Sequence, residues 1–502
     1  MADKIILIIG AGLAGLSTGC FAQMNGYSSH IFEHHSQPGG VAAAWKRHSY
    51  LIDGGIHFLM GHRPGTALHE LYRQLGILPA TSCVDMTTLG RFTDEASGRS
   101  VQVTRDLHRL AADLKTQSPN DARVIDELVE GARAMQGLDM SEFGLSKPPE
   151  LMSWLDSLKD VWGMRRLLKY MTGQYARPVA DYVQAVHDPW LREFIKCLFL
   201  PQVPVYFVCM VLGLLADGQL GFLEGGCTDF VQSLDRRYTA LGGRVTYNAT
   251  VEEILVKNNR AVGVRLSDGS EHGADVVVSA ADGYSTVFKL LGGRYVNDKI
   301  KRRYATWKTF RPLMMISFGA ARELPGEPAF TTLVLKQPIQ VHDEAIRMIF
   351  VRLFNYSVRF APPGKTVVQV EFETEWGYWN DLQGRDRAAY EAEKERVAVE
   401  VLQRLEVHYP GLSQQVEVTD VATPYTFWRY TLNHNGAWEG WLPTPETITT
   451  LVERTLPGLD SFYMAGQWVM PGGGVPPCLY SGRHVVQLLC RQDKQPFSTS
   501  AP

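Results

Sequence analysis

The apolar positions of residues 4–33 change period three times. "KIILII" is an unbroken apolar run of strand length, "GAGLAG" turns the chain, "LSTGCFAQMN" carries helical spacing, and "GYSSHIF" returns as a strand, so the stretch predicts a βαβ unit. A second α/β stretch occupies 224–282. There "TDFVQSLDRRYTALGG" reads as an amphipathic helix closed by glycines, "RVTYNATVEEILVKN" and "AVGVRL" as strands joined by a turn at Asn258–Asn259, and "ADVVVSAA" as a buried strand. A third lies at 461–490, with strand "SFYMAG", a glycine–proline turn and helix "CLYSGRHVVQLLC". These three pieces can complete one α/β sheet domain of Rossmann type.

Two insertions of different character separate them. Residues 66–220 are mainly helical by periodicity, with capping-like starts such as "SPNDARVIDELVEGARAM". Residues 300–445 mix extended runs ("PLMMISFGA", "RMIFVRLF", "TVVQVEFET") with the long charged helix "DRAAYEAEKERVAVEVLQRLEVHY". The expected division is a discontinuous cofactor domain (1–65, 221–299 and 450–492), a helical insertion serving as substrate lid (66–220), a mixed α+β substrate domain (300–449) and a disordered polar tail (493–502).

Composition narrows the classes. A chain of 502 residues, 45% hydrophobic, has enough apolar mass for two cores. Its net charge of −3 leaves no basic excess for a nucleic-acid partner. The seven cysteines are scattered and never form C-x-x-C, so neither a disulfide framework nor a metal site is expected, and a reducing cytoplasm fits. "FLPQVPVYFVCMVLGLL" (199–215) is the most lipid-like stretch, but its prolines leave a run well short of the ~20 residues that span a bilayer. A buried helix is expected there, with peripheral membrane contact as the minority reading.

The turn after the first strand carries chemistry. Gly10, Gly12 and Gly15 form G-x-G-x-x-G between strand and helix, and Glu33 ends the next strand. The first glycine permits the turn, the second lets backbone approach a pyrophosphate, and the third lets helix meet strand. Leu13 and Ala14 then open the helix, whose N-terminal end faces the phosphates. Glu33 stands where an adenosine ribose would be held. Gly39 and Gly40 form a second pair where the chain could again pass close to a dinucleotide.

From these residues on, the sequence resembles the FAD-dependent amine oxidase and phytoene desaturase superfamily. The resemblance runs through Glu33 and Gly39–Gly40, through "YLIDGG" (50–55, with Gly54 and Gly55), and through "GFLEGGCTDFVQSLDRRYTALGGRVTYNATVEEILV", where Val251 would lie against the adenine. It ends in "YMAGQWVMPGGGVPPCLYSGR", where Gly466, Gly474, Val475 and Pro476 would pass beneath the isoalloxazine. It implies an FAD-binding domain of that family's type. Because of "PGGGVPP…SGR" and the length, the sequence is most similar to the phytoene desaturase, carotenoid isomerase and retinol saturase branch. No second G-x-G-x-x-G follows another strand, so a built-in nicotinamide domain is not expected and electrons are expected to pass by oxygen, a quinone or transient nicotinamide binding.

Hydride transfer at flavin N5 asks the protein mainly to position and to exclude water. His57 is a candidate acid or base near the ring, or else a donor to a backbone carbonyl at a strand end. Tyr480 and Glu224 are further candidates against ordinary packing and a solvated turn. Trp45 either covers the flavin or lies on a surface loop. "RYTLNHNGAWEGW" (Arg429, Asn433, His434, Asn435) reads as a polar-punctuated substrate loop. The resemblance implies a C–C bond oxidoreductase acting on an apolar isoprenoid or other unsaturated lipid. The alternatives are a flavin amine or amino-acid oxidase and a prenyl-binding carrier on the same fold.

Overall fold

A computed structural model describes residues 4–500 apart from 140–144, 155, 157–161, 163, 164 and 166. Five parallel strands form the cofactor sheet, in the order Arg244–Thr246, Ser28–Phe32, Ile5–Ile9, Val276–Ser279, Phe462–Met464. Helices Leu13–Met24 and Val475–Gln492 cover one face (Ile6, Ile8, Val276, Val278) and the antiparallel strands Val251–Lys257 and Arg260–Leu266 cover the other (Leu7, Ile9, Val277), so with both faces buried Ile5–Ile9 and Val276–Ser279 read as continuous apolar runs without alternation. Helix Leu13–Met24 follows the first strand, and helix Val475–Gln492 packs against it. The contact is close enough that a Cβ on Gly482 would sit 2.6 Å from the Thr18 nitrogen.

The stretch expected as one strand, 244–258, divides. Arg244–Thr246 joins the parallel sheet, while Val251–Lys257 pairs with Arg260–Leu266 in a separate antiparallel sheet. Asn248, in left-handed conformation with φ 53°, turns the chain between them. Asn258 and Asn259 make the expected hairpin turn, both with positive φ.

Seven strands form the second sheet, ordered Val416–Ala422, Leu313–Ala320, Thr366–Glu373, Glu344–Leu353, Phe330–Val341, Thr88–Asp94, Arg99–Thr104. Its last two strands come from the segment expected to be helical, so 66–220 is a helical bundle with a hairpin donated to the neighbouring sheet. Backbone pairing of Thr331–Val334 with Arg91–Asp94 makes that donation. One face of this sheet (Met314, Ile316, Phe318, Val368, Val370, Phe372) packs on helix Arg387–His408 through Val397, Val401 and Leu405. The other face turns toward the cofactor sheet, and the site lies between them.

Helix Val205–Ala216 is buried inside the helical bundle, as its apolar run predicts. Among the described residues no helix is long and apolar enough to cross a membrane. The tail departs from expectation: Phe497 packs on Phe21 at 5.8 Å between ring centroids, and the Ser498 N–H donates to Asn25 Oδ1 at 2.7 Å. One aromatic residue in a polar segment is enough to seat it in an apolar socket.

Candidate active site

A cavity of about 880 Å³ runs between the two sheets and ends against the helical bundle, near the top of the ~300–1,000 Å³ range of small-molecule sites. Gly10, Gly12, Leu13, Ala14, Glu33, Gly39, Gly40, Gly54, Gly55, Val251, Gly466, Gly474, Val475 and Pro476 all line it, as does His57. Gly15 lies beneath, where a Cβ would overlap the Gly10 carbonyl oxygen, so its place in the motif serves helix–strand packing.

Whether a dinucleotide fits is testable on the cradle itself. A Cβ on Gly12 would meet nothing nearer than 4.0 Å, so the backbone there is open to the cavity. Helix Leu13–Met24 has no side-chain cap at Gly12, leaving first-turn N–H groups for an anion. Gly12 and Gly39 are bridged as neighbouring chain segments, with the Gly39 N–H donating to the Ala11 carbonyl at 2.9 Å. Glu33 accepts from the Ala11 N–H at 2.6 Å and the His35 N–H at 2.7 Å, and burial raises its carboxyl despite both bonds. This donor set, with an acidic residue at the strand end, fits FAD.

The glycine–proline turn closes the opposite side. The Gly466 N–H donates to Ser481 Oγ at 2.6 Å, and Trp468 is buried against Trp441 at 5.0 Å between ring centroids. Gly474, at φ 85° and ψ −179°, holds a conformation that side-chain-bearing residues avoid. Helix Val475–Gln492 starts directly after it, three residues before the start expected from the pattern, because prolines 476 and 477 are tolerated in a first helical turn. Those prolines also remove two N–H groups, so the field at this helix end reaches the cavity with the Val475 N–H as its free donor.

His57 is joined by residues that the sequence reading did not single out. Its Nε2 lies 2.8 Å from Glu371 Oε2, and Arg352 Nη1 donates to Glu371 Oε1 at 3.0 Å and to Gln369 Oε1 at 2.8 Å. Burial would raise the Glu371 carboxyl, but the charges of His57 and Arg352 and their hydrogen bonds prevail and hold it down at about 2. Asp53, the acid of "YLIDGG", accepts from the Cys227 N–H at 2.6 Å at the start of helix Gly226–Ala240. It thereby fastens the Gly54–Gly55 turn to that helix. The Phe350 and Trp438 rings stand edge-on to the imidazole at 5.6 and 6.5 Å.

Three candidates fall outside the cavity. Tyr480 is 1% exposed in the apolar core, its phenol pushed up to about 12 by burial, and its ring lies 6.1 Å from that of His484, on the helix face that carries His484 to the Leu145 carbonyl. Glu224 sits at the end of strand Leu220–Leu223, where its N–H donates to the Ser82 carbonyl. Trp45 lies on the hairpin Ala44–Arg47/Tyr50–Asp53, and its indole N–H donates to Asp420 Oδ2 at 2.8 Å. It supports the back of Gly54, where a Cβ would come within 2.7 Å of its ring.

The polar-punctuated loop does reach the site. Asn433 and Thr431 line the cavity, and the His434 N–H donates to Asp282 Oδ2 at 3.0 Å, tying the loop to the cofactor sheet. Burial raises the Asp282 carboxyl and lowers His434, whose ring stacks on Tyr284 at 3.9 Å. The far end of the cavity is apolar, formed by Met171, Phe199, Tyr206, Phe207 and Met210.

Comparison with known proteins places these features in context. The family model described as flavin containing amine oxidoreductase matches residues 13–490. The chain is 26% identical to the chloroplastic prolycopene isomerase of Arabidopsis thaliana, over 95% of this chain and 81% of that protein. It is 24% identical to the neurosporene-forming phytoene desaturase of Rhodobacter capsulatus, over 96% and 93%. A solved oxidoreductase structure from Methanosarcina mazei superposes with a TM-score of 0.62 at 16% identity, covering 96% of this chain and 100% of that one, and so supports the fold.

Proposed function

This chain belongs to the flavin-containing amine oxidoreductase family and is an FAD-dependent oxidoreductase, and we propose that it desaturates, saturates or isomerises C–C bonds of a carotenoid-like isoprenoid polyene. Bound FAD supplies the site's hydride acceptor or donor. Within the chain, Glu33, the Gly12–Leu13–Ala14 turn and Gly39–Gly40 hold the cofactor, and Gly466 and the Gly474–Pro476 segment approach its ring. His57, fixed by Glu371, faces the same space.

The observation that carries this reading is the apolar wall of Met171, Phe199, Tyr206, Phe207 and Met210, which shares one cavity with the glycine cradle. A long hydrocarbon gains ~25 cal/mol for each Å² it removes from water against such a wall. A cationic amine is served less well. Of the carboxyls on the cavity wall, Glu33 and Asp282 are taken by backbone N–H groups and Glu371 by His57 and Arg352, while burial favours the neutral form of Glu439. A prenyl carrier would have no use for a complete pyrophosphate cradle.

Delivery of so apolar a substrate argues for peripheral contact with a membrane. Trp154, Trp162 and Leu168 are exposed at 70%, 69% and 43%, a pattern suited to an interface. Oxygen or a quinone would be the electron acceptor. The reading is tested by incubating oxidised and reduced holoenzyme with candidate carotenoids and separating the products: new double bonds, lost double bonds or a changed cis/trans pattern supports it, and unchanged carotenoids in both states refute it.

A further inference from the structure

Glu439 stands apart from every other carboxyl on the cavity wall. Among the described residues it has neither a hydrogen-bond partner nor an ion-pair partner, although it lies in the loop that the cofactor turn packs against. A Cβ on Gly473 would come within 2.7 Å of its Oε2, and one on Gly474 within 3.9 Å of its Oε1, so the carboxyl lies alongside the backbone of the turn that the family resemblance sets beneath the flavin ring. Its neighbours fix it there: the Trp438 indole N–H donates to the Arg311 carbonyl at 2.9 Å and the Trp441 indole N–H to the Trp468 carbonyl at 3.1 Å. A half-buried carboxyl that faces an apolar cavity without a protein partner requires an explanation, because the fold alone gains nothing from desolvating it.

We propose that Glu439 is the proton-exchanging residue of this cavity, taking a proton from the polyene carbon next to the one that gives up hydride and returning it in the opposite direction. Removing two hydrogens from a C–C single bond takes one as hydride, for which the bound flavin is the oxidant, and one as a proton. At the second carbon the C–H bond breaks, its electron pair becomes the new π bond, and an O–H bond forms on Glu439. Saturation reverses each change, with Glu439 giving up the proton. This role rests on the polyene reading above.

The environment suits the task. Burial pushes the Glu439 carboxyl up to about 8, so both of its protonation states are accessible near neutral pH, where a general acid or base works best. The titratable group facing it from the C-terminal helix is the Cys478 thiol, pushed up to about 12 by burial first and by Glu439 second. The other titratable groups on the wall, including Glu33, Asp282, Glu371, Arg454 and His484, are held by the partners of their own.

The test compares FAD-loaded wild type with Glu439→Gln and Glu439→Asp. Infrared difference spectra between acid and alkaline pH should show a protonated-carboxyl C=O band that shifts in ²H₂O, disappears with a midpoint near 8, and is missing in the Gln variant. Single-turnover conversion of a carotenoid should fall about 100-fold or more in the Gln variant, with flavin content and polyene affinity retained and part of the rate restored by Asp. Wild-type rate and pH profile in the Gln variant, or absence of the infrared band from wild type, overturns the proposal. A wild type that converts no polyene contradicts the functional reading and this role together, whereas conversion that the Gln variant matches overturns this role alone.

Discussion

Nε2 of His57 lies 2.8 Å from Oε2 of Glu371, whose other oxygen accepts from Arg352 at 3.0 Å, so one carboxylate ties a cavity-facing imidazole to a fully buried guanidinium. Breaking such a pair from one side leaves an uncompensated charge. Glu371→Gln is expected to cost about 3–5 kcal/mol at neutral pH. The folded carboxyl sits at about 2 against an ordinary 4.5, so its contribution is present above about 4.5 and is lost as pH falls through about 2. Urea denaturation at a series of acid pH values should show that dependence in wild type and a flatter profile in the variant.

This cluster also marks where the sequence stops being legible. "TVVQVEFE" alternates, and Gln369 and Glu371 occupy positions that ordinarily mean a solvent-facing polar side. They are buried because that face of the sheet meets the Tyr50–Asp53 strand and the Gly54–Gly55 turn, a contact between segments more than 300 positions apart, such as Gln369 Nε2 with the Asp53 carbonyl at 3.0 Å. The cradle was legible for the opposite reason: Gly10, Gly12, Gly15 and Glu33 belong to one local strand–turn–helix–strand unit whose geometry the spacing itself dictates. Tyr480 and Trp45 sit within legible segments, but the direction of a side chain on a helix or hairpin depends on what packs behind it. The hairpin 88–104 was hidden because its partner strand lies far along the chain, at 330–341.

Gly12 and Gly15 separate binding from folding. Gly12→Ala places its methyl group in open cavity, so the protein should keep its stability while its FAD dissociation constant rises tenfold or more, about 1.4 kcal/mol. Gly15→Ala forces helix and strand apart and should cost about 1–3 kcal/mol of stability even without cofactor. Flavin titration and thermal denaturation of the two apoproteins distinguish them.

Glu439 gives a stability slope of the opposite sign from Glu371. Its folded carboxyl is raised to about 8 from 4.5, so the native state binds the proton more tightly than the unfolded chain. That contribution is complete below about 4.5 and is lost as pH rises through about 8. Glu439→Gln should remove the decline over that window, measured as Tm against pH.

Tyr480 lies in the apolar core, outside the cavity lining. Tyr480→Phe keeps the ring in the core and should leave turnover of the holoenzyme within about twofold of wild type. A large loss of turnover with unchanged stability would return it to the chemistry.

Chemistry on the C–C bonds of a polyene is what sets this FAD site apart from an amine oxidase. Its most direct test mixes FAD-loaded protein anaerobically with carotenoids on one side and primary and secondary amines on the other, following the flavin absorbance and the recovered organic molecules together. A carotenoid should be converted, by desaturation with bleaching of the oxidised flavin, or by isomerisation or saturation with the reduced enzyme, while amines leave the flavin oxidised. Bleaching by amines with every carotenoid recovered unchanged would contradict it.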